Sequence, residues 1–316
     1  MTIGPVSTNA QSQLLLAEIT QAQNNVNQSE TQVATGYVSS TYTGMGDKTA
    51  LLEASQSALA RTNGYQSATQ LALNQSNLQD TQLTQLSGVA TQLYQDMAEA
   101  VANGDGSTLM SQAQGLYAQA VQILNAQDAN GNYIYGGNNA GTPPVTATTL
   151  SQLASLGSVS AAFANGTRAA SVQVADDQTV QVGMLASNIG TNLLQTFQDL
   201  AQFNAGANGN FGASLTSAQS NFLTNELPTA ISGEQSVNTA AATNGDTYNQ
   251  LTDASNQQQS LSTLCQGFVS NLQDVDMSTA ITQLNQNQTA LQAALQVTAQ
   301  IGNISLLNYL SAPTTS

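Results

Sequence analysis

The sequence predicts a mainly α protein, with long N- and C-terminal helices forming a coiled-coil rod or bundle and a small β-containing insert in the middle. Three observations predict it. From Asp274 to Leu310 apolar side chains recur at three- and four-residue steps with almost no charge between them: Met277, Ile281, Leu284, Leu291 and Leu295, then Ile301, Ile304, Leu306, Leu307 and Leu310 beyond Thr298. A helix patterned this way wants a partner helix along its length. A matching stripe, Leu15, Ile19, Ala22, Val26 and Val33, lies at a and d positions between Gln11 and Thr35. Thirdly, 41% of the residues are hydrophobic but only 5% are aromatic and Trp is absent, so the apolar content is mostly the Ala and Leu that suit narrow helix seams.

The elements follow in order. Residues 1–10 carry Gly4, Pro5 and several hydroxyl residues and are expected to be an extended or frayed leader, with neither the basic region nor the continuous apolar core of a cleavable signal. The first helix runs to about Thr35 and stops at Gly36. Tyr37 to Gly46 is a turn or loop, and Asp47 is the expected N-cap of a much longer second helix. That helix is followed through Leu52, Leu59, Leu71, Leu78, Leu86, Leu93, Met97 and Val101, with Gly64 and Gly88 as its only interruptions. Asn103-Gly-Asp-Gly106 closes it. A third stripe, Leu109, Ala113, Leu116, Ala120, Ile123 and Leu124, ends near Gln127.

The pattern changes at Asp128. Asn130-Gly131 is a type I′ hairpin signal, Tyr133-Ile134-Tyr135 reads as a short strand, and Gly136, Gly137, Gly141, Pro143 and Pro144 oppose a further helix. An irregular or β-containing insert is expected from Val145 to Asp177, with Ala170–Val174 and Thr179–Val182 as strands. The insert should project from one end of a bundle. Helical patterning returns over Leu185–Phe203, a Gly/Asn loop spans Asn204–Gly212, and another helix starts at Ser214 with a break at Pro228. From Ser236 the chain can run as helix nearly to its end. The expected layout is 1–45 leader and first helix, 46–137 first half of the rod, 138–182 insert, 183–270 second half, and 271–316 C-terminal helix.

Charged residues make up 7% of the chain, and eighteen Asp and Glu face three basic residues, Lys48, Arg61 and Arg168, for a net charge of −15. Three isolated cations cannot displace phosphate counterions, which excludes nucleic-acid binding. The same deficit argues against an amphipathic membrane anchor, and no apolar run approaches a membrane span.

Chemistry finds little footing. No His is present, which removes Ser-His-Asp triads, His general bases and His metal sites. The one cysteine, Cys265, lies among Leu261, Leu264 and Phe268 at helical spacing and reads as a small buried hydrophobe. Asp176-Asp177 would point to opposite faces of a strand and reads as a solvated turn. Asp128-Ala-Asn-Gly-Asn132 mimics the start of a calcium loop, but Tyr133 stands where Gly is needed and Asn139 where a bidentate Glu is needed. Asn103–Ser107 lacks the Lys of a phosphate loop, and Asn165-Gly-Thr167 is a sequon of a kind frequent in so Asn-rich a chain. The chain is therefore read as no enzyme and as holding no cofactor. What remains is association, through Leu15, Ile19, Val26, Val33, Ile281, Leu284, Leu291, Leu295, Ile301, Leu306 and Leu310.

The residues of the two ends also carry a resemblance. Leu272-Gln-Asp-Val-Asp-Met-Ser-Thr-Ala-Ile-Thr-Gln-Leu284, Gln288-Thr-Ala-Leu-Gln-Ala-Ala-Leu-Gln-Val-Thr-Ala299 and Ile304-Ser-Leu-Leu-Asn-Tyr-Leu310 closely resemble the C-terminal region of the bacterial flagellin family. Gln32-Val-Ala-Thr-Gly36 resembles that family's N-terminal turn. The likeness covers roughly residues 7–137 and 235–310. Within the family, Ala120–Val145 and Val180–Phe203 are more similar to the hook–filament junction branch than to filament flagellin. The chain departs from the family in carrying Gln, Thr or Ser at the usual Arg-rich positions and in lacking Asp-Asp-Pro after Gly36. The resemblance implies an extracellular flagellar subunit, secreted without a cleaved signal through the flagellar type III apparatus after being held by an export chaperone. Its partners would be itself and other axial proteins, namely hook-associated proteins and flagellin, with terminal helices that fold together on incorporation. A surface adhesin presented by the insert is the alternative from a different class.

Overall fold

The computed structural model describes the backbone of residues 6–310 and the side chains of residues 10–301. Its order is α1 (Val6–Thr35), α2 (Thr49–Asn103), α3 (Leu109–Leu124), α4 (Leu150–Ser155), β1 (Ser171–Ala175), β2 (Gln178–Gln181), α5 (Ala186–Ala205), α6 (Ser217–Gln273) and α7 (Met277–Leu310). Helices dominate and the two strands form one antiparallel hairpin, so the chain is mainly α with a small β insert. It divides into two units, one of Met1–Arg61 with Leu261–Ser316, the other Thr62–Ser260.

In the first unit α1 pairs with α7. Gly36 ends α1 in the left-handed region at φ 74°, where a Cβ would be strained, and its N–H donates to Gln32 O at 2.9 Å. The extended residues beyond it then meet the chain entering α7: Val38 N–H donates to Gln273 O and Val275 N–H to Gly36 O, both at 2.8 Å. The end of α1 thus lies beside the start of α7, and the helices run antiparallel. Asp276 caps α7, accepting from Ser278 N–H at 3.0 Å and Thr279 Oγ1 at 2.9 Å. The Thr279 hydroxyl and these helix amides hold its carboxyl below the ordinary range.

In the second unit α2 and α6 run antiparallel on paired heptads. Thr62, Thr69, Ser76, Leu83, Ala90 and Met97 are buried at seven-residue steps on α2, as are Leu223, Ala230, Val237, Asn244, Leu251 and Gln258 on α6. Ser76 Oγ donates to Asn244 Oδ1 at 2.9 Å, Ser87 Oγ to Asn238 Oδ1 at 2.7 Å and Thr91 Oγ1 to Glu234 Oε1 at 3.1 Å, which sets the register. One half of this seam is apolar, and the other is amide and hydroxyl apart from Leu251.

The main core forms where α3, α4 and α5 cover the apolar half, around Leu86, Leu93, Tyr117, Leu153, Leu193 and Phe197. Tyr117 and Phe197 meet edge to face at 5.4 Å and 73°, and the Tyr117 hydroxyl donates to Ala147 O. Burial pushes that phenol up to about 12. At Gly233 of α6 the missing Cβ would fall 3.0 Å from Leu193 Cα, so α5 packs directly on the α6 backbone.

Several expectations are corrected. Helix begins at Val6 rather than after residue 10, since nothing between Pro5 and Gly36 breaks it. Asp47 is no N-cap: Tyr42–Lys48 already turns as a 3-10 helix leading directly into α2, held by Thr49 Oγ1 donating to Tyr42 O and Gly46 O. Asn130-Gly131 is not a type I′ turn, because only the glycine has positive φ, 82°; the Asp128 carboxylate instead accepts from the Asn130 and Asn132 N–H groups. Tyr133–Tyr135 is no strand and makes a single bridge, Tyr133 to Gln127. Pro228 sits inside unbroken α6, where buried Leu223 and Ala230 on either side offset a penalty of about 3 kcal/mol. The run after Ser236 does break, at Asp274–Asp276, where the Asp276 cap starts a new helix.

The insert does not project. Val174, Val180 and Val182 of the hairpin region are buried against Ala72, Leu73, Leu251 and Ala254 of α2 and α6, Gln258 Nε2 donates to Val174 O at 2.9 Å and Tyr65 Oη to Asp176 Oδ1 at 2.8 Å. Alternating valines on a two-stranded ribbon need cover, and the helices supply it. Val145, Leu150, Leu153 and Val159 likewise join the main core.

One carboxyl in this unit gives a pH prediction. Glu226 of α6 is raised from 4.5 to about 7, first by burial and then by the Asp199 charge, against a hydrogen bond from Thr229; its Oε1 has no hydrogen-bond partner. Between those values the folded chain holds more protons than the unfolded one. Glu226 therefore contributes stability that is complete below 4.5 and lost as pH rises through about 7. The thermal midpoint of unit 2 should be lower at pH 8 than at pH 5.5, and Glu226→Gln should flatten that difference; an unchanged slope in the variant would contradict the assignment.

Candidate functional site

The face that α1 turns to α7 carries Leu15, Ile19, Ala22, Val26, Ser29 and Val33, all buried or half-buried at alternating four- and three-residue steps. The opposing face of α7 carries Ala280, Leu284, Asn287, Leu291, Ala294, Thr298 and Ile301 with the same alternation and no exposed member. These are the two sides of an antiparallel coiled-coil seam. Its polar station is Asn287, whose Nδ2 donates to Ser29 Oγ at 2.8 Å and Asn25 O at 3.3 Å. An amide in an apolar seam costs stability and fixes register, since any slip leaves it unpaired.

Of the residues singled out from sequence, Leu15, Ile19, Val26, Val33, Leu284, Leu291 and Ile301 lie in this seam. Ile281 and Leu295 do not: they are 46% and 47% exposed on the flank of α7. The side chains of Leu306 and Leu310 lie outside the described residues. Sequence reading missed Ser29, Ala280, Asn287 and Ala294, because polar or small residues carry no hydrophobic signal; the unbroken 4-3 spacing is the signal that finds them.

The seam leaves much of its apolar surface uncovered. Leu14 and Leu16 flank the α1 face, and Met277, Ile281, Leu295 and Val297 flank the α7 face, each more than two-fifths exposed. Two helices that pair along one seam leave these flanks exposed to solvent.

The other candidates from sequence gather into no reactive constellation among the described residues. Asp176 and Asp177 form the exposed tip of the hairpin, and the backbone amides that fill the Asp128 carboxylate hold it below the ordinary range. Cys265 is buried, although Leu261, Leu264 and Phe268 around it are exposed. Among the described residues no three His, Cys, Asp or Glu converge to hold a metal, and no helix is long and apolar enough to cross a membrane.

Comparison with known proteins bears on the same helices. Residues 230–310, from Ala230 in α6 to the end of α7, match the family model of the bacterial flagellin C-terminal helical region. A putative flagellar hook-associated protein from Vibrio parahaemolyticus has a similar structure, with 14% identity over 72% of this chain and 97% of that chain and a TM-score of 0.59. Bacillus cereus FlgL aligns at 14% identity over 68% of this chain and 98% of that chain, with a TM-score of 0.49. No curated protein matches the chain. Over residues 230–310 the chain is thus flagellin-like in sequence, and over most of its length it shares the fold of the Vibrio protein.

Proposed function

We propose that this chain is a non-enzymatic structural subunit of the bacterial flagellum, positioned at the hook–filament junction, with filament flagellin as the alternative. The observation that carries the reading is a coincidence of place: the segment matching the flagellin C-terminal region contains α7, the helix that completes the seam and bears the uncovered flanks. The fold shared with a protein described as hook-associated, together with the junction-like residues of Ala120–Val145, supports junction over filament. In this reading the α1–α7 pair folds fully on incorporation, when neighbouring subunits and other axial proteins cover Leu14, Leu16, Ile281 and Leu295. The subunit is secreted through the flagellar export apparatus from a chaperone-held state. No observation favours an adhesin, since the apolar side chains of the insert serve the core.

Deleting the gene tests the position. A junction subunit predicts cells that build hooks but release filament protein into the medium, restored by the intact chain. Full-length attached filaments in the deletion strain would contradict it.

A further inference from the structure

A second, separate surface lies in unit 2, between α2 and α3. It is a groove of about 660 Å³ walled by Gln82, Gln85, Gln92, Gln119 and Gln122 and floored by Val89, Leu116 and Ile123. One feature is unexplained by the chain's own fold. Gly88, on the groove, sits inside α2 with nothing within 4 Å of where a Cβ would be. A mid-helix glycine is unfavourable relative to alanine, and neither positive φ nor an internal contact requires it here. The open glycine fits an occupant whose backbone comes close at Gly88, between glutamine walls that offer side-chain amides on either side of the apolar floor.

Among the described residues no charged side chain lines the groove, so its occupant should be an uncharged helix with an apolar ridge and amide or hydroxyl shoulders. This chain presents one. Leu261, Leu264 and Phe268 of α6 form an i, i+3, i+7 ridge, 42%, 53% and 51% exposed; Asn271 and Gly267 share the face, and a Cβ on Gly267 would meet nothing within 4 Å. We propose that the α2–α3 groove of one copy receives the Leu261–Phe268 ridge of a second copy. Groove and ridge are different surfaces, so the contact is heterologous and propagates from copy to copy. The inference rests on the structural-subunit reading and adds to it a contact outside the terminal seam.

Two full-length variants in a Cys265→Ser background, one with Gly88→Cys and one with Leu264→Cys, test it. Mixed at concentrations that drive association and treated with diamide, they should give the mixed disulfide dimer as the main cross-linked species, with little from either alone. In sedimentation, Gly88→Leu should weaken self-association at least tenfold, whereas Gly245→Leu, at another open helical glycine, should leave it unchanged while both keep the wild-type helix content. Absence of the mixed dimer from associated protein, a chain that stays monomeric throughout, or equal behaviour of the two leucine variants would overturn the groove contact. If association instead depends only on α7, the groove contact fails and the subunit reading stands; groove cross-links that form whether or not α7 is present support the groove contact and leave the seam to be tested by truncating α7.

Discussion

A chain truncated after Ala290 is expected to fail to incorporate into flagella while its second unit stays folded. The deletion removes Leu291, Ala294, Thr298 and Ile301, the part of the α7 face beyond Asn287. Because the helices are antiparallel, the stretch of α1 before Asn25 then loses its partner, and a helix that short is marginal in water without one. Thr62–Ser260 keeps its own core. Circular dichroism should show lost helix in proportion to the terminal segments and an unmoved main thermal transition, and cells producing only the truncated chain should be non-motile. Motility equal to wild type would remove the seam from the mechanism.

The largest single-residue effect on stability is expected at Phe197. Its side chain is fully buried, packed edge to face on Tyr117 within the cluster that joins α3, α5 and the insert. Truncating a buried Phe costs about 3–5 kcal/mol through lost transfer energy and the cavity left behind, and the aromatic pair adds roughly 0.5–1.5 kcal/mol within that range. Urea denaturation of Phe197→Ala should report a loss of this size; a change below about 1 kcal/mol would mean that the site collapses or that the core is less well packed than described.

The terminal stripes were legible because apolar residues at 4-3 spacing have few other uses, and Gly36 and Gly104 mark helix ends at φ 74° and 65°. Both strands were legible to within a residue from their alternating valines. What escaped was written in polar chemistry. Thr149-Leu-Ser-Gln152 and Thr216-Ser-Ala-Gln219 are both capping boxes, with Gln152 N–H donating to Thr149 Oγ1 and Gln219 N–H to Thr216 Oγ1. The first starts a helix, α4, inside a segment read as irregular; the second places the start of α6 three residues later than expected. The flank positions of Ile281 and Leu295 were misplaced for the opposite reason: hydrophobic residues drew the stripe toward themselves, while Asn287 and Ala280, which lie in the seam, carried no apolar weight.

The polar half of the α2–α6 heptads was invisible for the same cause. Thr62, Thr69, Ser76, Asn244 and Gln258 occupy buried heptad positions that hydropathy assigns to solvent. Thr69 Oγ1, both Gln79 side-chain polar atoms and Gln258 Oε1 remain without hydrogen-bond partners, so this half is held less firmly than the apolar half. The insert hairpin lies over it, with Gln258 Nε2 bonded to Val174 O, which explains why residues first read as a projection are folded against the helices.

The measurement that tests the central claim most directly is immunogold electron microscopy of intact flagella, using an antibody raised against residues 145–175. The account predicts label confined to the boundary between hook and filament. Label along the whole filament would make the chain its main subunit, and flagella without label would contradict the flagellar assignment itself.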